Sequence, residues 1–192
     1  MKKIKLFIQK NKSNLLFIGV LVLLLLPQTR MPIQVFIQRL VSFSPSEIDA
    51  EESEVLQDYT WQLEQLEGGT KYFSESKKKV VLINFWATWC PPCIAEMPSL
   101  QKLYDAYGNK VDFYFVTSEE KEVVQRFMDK KEYTFPVYIQ TSKAPRLLTS
   151  SSLPTTYVIA KDGEIRVNKV GVADWDSKKT REILDRLLEE SI

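Results

Sequence analysis

The chain has 192 residues, 44% hydrophobic and 27% charged, with a formal net charge of +1, which suits one globular domain plus an extension. It has no histidine and only two cysteines, which excludes a multi-disulfide scaffold and leaves zinc only an inter-chain or carboxylate-completed site. The total hides an asymmetry: residues 1–44 carry five lysines, two arginines and no acid, a net of +7, and residues 45–192 carry 19 basic and 25 acidic side chains, a net of −6. An acidic folded part whose longest basic run is Lys77-Lys78-Lys79 gives no support to a nucleic-acid partner.

Lys2, Lys3, Lys5, Lys10 and Lys12 precede an apolar run from Leu15 to Leu26, the pattern of an export signal. Positive charge before the run outweighs Arg30 and Arg39 after it, so the N-terminus is expected to stay cytoplasmic and the rest to face the periplasm or exterior. Pro27-Gln28-Thr29-Arg30 lacks a small-x-small cleavage pattern, and no cysteine follows the run to accept a lipid. An uncleaved membrane anchor over residues 15–26 is therefore expected, although twelve residues reach only about 18 Å against a hydrocarbon core of about 30 Å. A cleaved signal is the alternative. Ile33, Phe36, Ile37, Leu40 and Val41 then fall at helical spacing, a stripe that either lies in the membrane interface or packs on the folded domain. This divides the chain into a basic stub, signal-anchor and amphipathic segment over 1–44, an acidic tether over 45–57, and a folded domain over 58–192.

In the folded part, Tyr59 to Leu66 and Thr70 to Phe73 flank Gly68-Gly69, a hairpin signal. Val80 to Trp86 reads as a strand buried on both faces, and Val111 to Val116 as its parallel partner across an intervening helix. Thr117 and Glu120 have capping-box spacing, which predicts a helix from about Ser118 to Lys130 that buries Val123, Val124 and Phe127. Val137 to Ile139 is a short strand candidate. Thr155 to Ala160 and Glu164 to Val170 flank the turn pair Asp162-Gly163, and a closing helix over about Ser177 to Glu190 presents Ile183, Leu184, Leu187 and Leu188 on one face. The order predicts an α/β fold, a mixed central sheet with helices on both sides.

Between the buried strand and its crossover helix lies Trp89-Cys90-Pro91-Pro92-Cys93. A strand delivers Cys90 to a helix N-terminus, where unpaired N–H groups and the helix dipole favour a thiolate. Cys93, one turn deeper, can resolve a mixed disulfide formed at Cys90. A structural disulfide closing two residues would constrain the unfolded chain little, and Ile94 stands where haem attachment needs histidine. The pair is read as a redox-active disulfide, Cys90-Cys93, that needs no cofactor.

Phe85 to Cys93, with Glu96, Pro98 and the later Leu153-Pro154-Thr155-Thr156, resembles the thioredoxin superfamily, and more narrowly its TlpA/ResA-like membrane-anchored thiol–disulfide oxidoreductases. The resemblance covers about residues 58–190. It implies a thioredoxin fold with an added N-terminal β-hairpin, an extracytoplasmic location, and exchange with disulfide-containing exported proteins, recharged by an upstream membrane thiol donor. It also implies that Trp89, Pro91, Pro92, Leu153, Pro154 and Thr155 border the substrate groove. On residues alone Pro154 is either a trans proline opening a strand or a cis proline; the resemblance implies cis. Pro92 resembles the proline of reducing thioredoxins. Asn84 and Phe115 depart from the thioredoxin pattern of a buried aspartate and a neighbouring lysine. Glu96 matches the glutamate of ResA-like proteins, a candidate general base, its bland alternative being a surface residue of an early helical turn.

The resulting expectation is a cell-envelope enzyme that reduces disulfides of exported proteins, with cytochrome c maturation one setting. An oxidase or isomerase would differ only in potential and in what recharges the pair. A non-catalytic binding module would need neither cysteine. A thiol peroxidase fits poorly, because peroxiredoxins carry threonine three residues before the reactive cysteine and Ala87 stands there.

Overall fold

A computed structural model describes residues 11–49 and 51–190; Lys2, Lys3, Lys5 and Lys10 of the basic stub lie outside the described residues. Among the described residues two helices come first, α1 (Lys12–Leu25) and α2 (Pro27–Leu40). Leu26 in extended backbone and Pro27 at the first position of α2 separate them, since proline cannot continue one helix but suits the first turn of the next. At 14 residues α1 is about 21 Å long, and among the described residues no helix is long and apolar enough to cross a membrane.

Strands β1 (Gln62–Gln65) and β2 (Thr70–Tyr72) pair antiparallel; Gly68 and Gly69 between them both have positive φ, where a side chain would be strained. There follow a 3-10 turn at Phe73–Ser76, β3 (Val81–Phe85), α3 (Pro91–Tyr107), β4 (Asp112–Thr117), α4 (Lys121–Lys131), β5 (Val137–Ile139), a 3-10 turn at Arg146–Leu148, β6 (Thr155–Ile159), β7 (Ile165–Val170) and α5 (Lys178–Glu189). The sheet runs β2-β1-β5-β4-β3-β6-β7. Its centre, β3-β4-β5, is parallel, and the flanking pairs are antiparallel.

Every residue of β3 is buried, as a strand covered on both faces requires. On one face Leu82 and Trp86 join Met97, Leu100 and Leu103 of α3, Val124 and Met128 of α4, and Ile183, Leu184 and Leu187 of α5. On the other, Val81, Ile83 and Phe85 meet Leu56, Tyr59, Trp61, Phe73 and Leu148. The three helices of the folded domain thus share one face, contrary to the expectation of helices on both. Right-handed crossovers explain this: β3 to β4 and β4 to β5 step the same way across the sheet, so both crossover helices fall on the same side. Irregular segments and the 3-10 turns cover the second face.

Two further expectations are corrected. The helix after β4 starts at Lys121, with Glu120 as an N-cap that makes no side-chain capping bond. Thr117 instead completes β4, pairing with Ile139, so strand pairing outweighs the cap. Val124 and Met128 are the buried residues of α4, and Val123 and Phe127 are half-buried.

The stretch 45–57 is also no free tether. The amide of Ile48 donates to Arg166 O at 2.9 Å, that of Leu56 to Gly163 O at 2.8 Å, and that of Ile165 to Glu54 O at 2.9 Å. Pro45 and Leu56 are buried, and Glu47 pairs with Arg186 of α5. Apolar residues spaced among the acids anchor the strip along β7. Upstream, α2 lies against α3, with Arg39 Nε donating to Ala95 O at 3.3 Å, and Asp174 N donates to Phe43 O at 3.0 Å.

Candidate active site

Cys90 is the N-cap of α3, in extended backbone (φ −93°, ψ 103°), and its Sγ accepts from Cys93 N at 3.2 Å. Pro91 and Pro92 fill the first helical positions, where a missing N–H leaves nothing unpaired. Cys90 and Cys93 are disulfide-bonded, and both are buried, at 4% and 1% exposure. The loop before them is held from β4's far end: Thr88 donates through N and Oγ1 to Glu119 at 2.6 and 2.7 Å. Sequence reasoning missed Glu119, because its partner lies 31 residues away and no local pattern marks it.

Glu96 sits one turn beyond Cys93 on α3 and is 1% exposed, which removes the surface reading. Its Oε1 accepts from Asn84 Nδ2 at 2.8 Å. Its Oε2 accepts from Trp175 Nε1 at 3.0 Å and from Ala173 N at 3.1 Å. Asn84 Nδ2 also donates to Thr156 Oγ1 at 2.7 Å. Burial pushes the carboxyl up to about 7; the hydrogen bonds from Trp175, Asn84 and Ala173 and the charge of Lys169 hold it from rising further. A carboxyl that titrates near neutral pH, one helical turn from a cysteine, can give or take a proton under working conditions. Trp175 and Ala173 were not anticipated, since they come from the loop after β7.

Around the disulfide, Trp89 is 63% exposed, Pro91 and Pro92 are half-buried, and Leu153 is 36% exposed. A cavity of about 300 Å³ lies on the Leu153 side, lined also by Trp86, Trp89, Glu119, Gln140 and Ser150. The Leu153-Pro154 bond is cis. Pro154 O accepts from Gly171 N at 2.9 Å. Thr155 is corrected: its side chain is fully buried, with Oγ1 donating to Ser152 O at 2.8 Å, so it braces the Pro154 loop and does not face a groove. Pro98 lies within α3.

A mixed sheet whose first central strand feeds a Cys-x-x-Cys disulfide at a helix N-terminus, with a cis proline opening a later strand, defines a thioredoxin-like thiol–disulfide oxidoreductase. The chain belongs to the AhpC/TSA family, which it matches over residues 55–168. It is 35% identical to the thioredoxin-like protein YneN of Bacillus subtilis over 135 residues, 68% of this chain and 78% of that protein. It is 37% identical to the thiol-disulfide oxidoreductase ResA of Halalkalibacterium halodurans over 128 residues, 64% of this chain and 72% of that protein. The crystal structure of StoA from Bacillus subtilis aligns with a TM-score of 0.53 at 25% identity, covering 65% of this chain and 93% of that one.

Proposed function

We propose that the protein reduces disulfides of exported proteins at the outer side of the cytoplasmic membrane. Cys90 thiolate attacks a client disulfide, forming a mixed disulfide and releasing one client thiolate. Cys93 then attacks Cys90 Sγ, frees the second client thiolate and closes the Cys90-Cys93 disulfide, so two electrons pass to the client. Glu96 takes the proton that Cys93 must lose, because desolvation disfavours an unaided buried thiolate. Trp89, Pro91, Pro92, Leu153 and Pro154 border the groove in which the client lies. The resemblance to ResA-like proteins supports recharging by a membrane thiol donor, with cytochrome c maturation as one setting.

The observation that carries this reading is the Cys90-Cys93 pair capping α3 one turn before a buried carboxyl. Equilibration with glutathione buffers tests the direction: a potential near that of thioredoxin, about −270 mV, supports a reductase, and one near −120 mV identifies an oxidant. A peroxidase remains disfavoured by Ala87.

A further inference from the structure

We infer that α2 is the second wall of the client cleft, seating an extended segment of a disulfide-bearing protein against Trp89, Pro91 and Pro92. The inference rests on the oxidoreductase reading and adds a recognition element outside the folded domain.

Arg30, Met31, Gln34, Ile37 and Gln38 face Trp89, Pro91 and Pro92 across a cavity of about 610 Å³. Spaced by three and four, these residues form one stripe of a helix. The stripe does not close on the redox loop, since Trp89 keeps 63% of its surface exposed beneath it. A helix serving only as packing would bury that indole. The position of α2 is nevertheless fixed at its C-terminal end, by Arg39 Nε on Ala95 O and by Phe43 O receiving Asp174 N. The stretch from Arg30 to Gln38 therefore overhangs the loop that carries the nucleophile.

The chemistry of the walls selects the guest. Trp89, Pro91, Pro92, Met31 and Ile37 offer apolar surface to a side chain. Gln34 and Gln38 each offer amide donors and an acceptor, which suit the unpaired N–H and C=O groups of an extended backbone. From Arg30 to Gln38 the stripe runs about 12 Å, the length of three to four extended residues. A small disulfide needs only the immediate surroundings of Cys90 and would leave most of that wall unused.

The test compares single-turnover oxidation of the reduced full-length protein by two probes, insulin as a protein disulfide and 5,5′-dithiobis(2-nitrobenzoate) as a small one. In Met31→Ala/Ile37→Ala the ratio of insulin rate to small-disulfide rate is expected to fall about tenfold, the effect of losing roughly one to two buried apolar contacts. Gln34→Trp, which narrows the cavity, is expected to lower the same ratio. A ratio within twofold of wild type in both variants overturns the proposal. A rise in the insulin rate overturns it too, because α2 would then be a cover, and so does an equal fall with both probes, because α2 would then merely support the redox loop. Wild type that reacts with the small disulfide but not with insulin also overturns it. Wild type that reacts with neither refutes the oxidoreductase reading itself.

Discussion

Three donors converge on the Glu96 carboxylate: the Asn84 amide, the Trp175 indole and the Ala173 backbone. Asn84 carries no charge that would compete with Glu96, and a half-turn of its amide lets it accept the proton of neutral Glu96 while Thr156 turns its hydroxyl to donate. The linkage has a definite sign. The folded carboxyl titrates at about 7 and the free one at 4.5, so between those values the folded state holds a proton that the unfolded state has released. Stability should therefore be full below pH 4.5 and fall as pH rises to 7, by up to ~3 kcal/mol. Thermal melts from pH 4 to 8 should show this decline in wild type and a flat profile in Glu96→Gln. The same variant should slow resolution of the mixed disulfide; equal rates from pH 5 to 9 would leave Glu96 without a role in proton transfer. Trp175→Phe keeps an aromatic ring, though a smaller one, and removes one donor to the charged form, so the pH at which exchange accelerates should move up by about one unit; superimposable pH profiles would deny Trp175 that influence. Cys93→Ser should trap client mixed disulfides on non-reducing gels and Cys90→Ser should not. Equal trapping by both would reverse the assignment of nucleophile.

At the scale of elements, what was legible were the strands whose pattern is local: the apolar run at β3, the glycine turn before β2, the Asp162-Gly163 turn between β6 and β7, and the Ile183, Leu184, Leu187 face of α5. Cys90, Cys93 and Glu96 were legible for the same reason, lying within one motif. What escaped was long-range. Trp175 meets Glu96 across 79 residues, and the acidic composition of residues 45–57 masked the few apolar positions that dock them. Composition averages over a segment, whereas docking depends on single side chains such as Leu56, which is 3% exposed. Leu56→Ala should therefore cost about 2–4 kcal/mol, a cavity-forming loss, and lower the melting temperature by roughly 5–15 °C. A tether residue would change stability by no more than about 0.5 kcal/mol, so a melting point within a degree or two of wild type would return the strip to a tether.

For the whole molecule, the +7 charge of residues 1–44 and the −6 of the remainder divide the chain at the segment where α2 docks. α2 presents two faces. The stripe from Arg30 to Gln38 looks onto the redox loop, while Phe36 and Leu40, exposed at 63% and 70%, lie on the opposite side. Val41 and Phe43 are exposed as well, at 50% and 77%. A 14-residue α1 about 21 Å long is short for a bilayer core, so hold on the membrane should depend on both elements, α1 inserted and the outer face of α2 resting in the interface. With α2 so placed, the cleft between α2 and Trp89 should stay open to clients close to the membrane surface. Full-length protein should remain with membranes after alkaline carbonate washing and retain its N-terminal lysines. In Phe36→Ser/Leu40→Ser, which removes about 1.5–3 kcal/mol of apolar burial per residue, a substantial fraction should wash off while the rate with a small disulfide reports an intact redox centre. Wild-type protein recovered entirely in the soluble fraction, with its first residue after Leu26, would show a cleaved signal, and α2 would then serve the cleft alone.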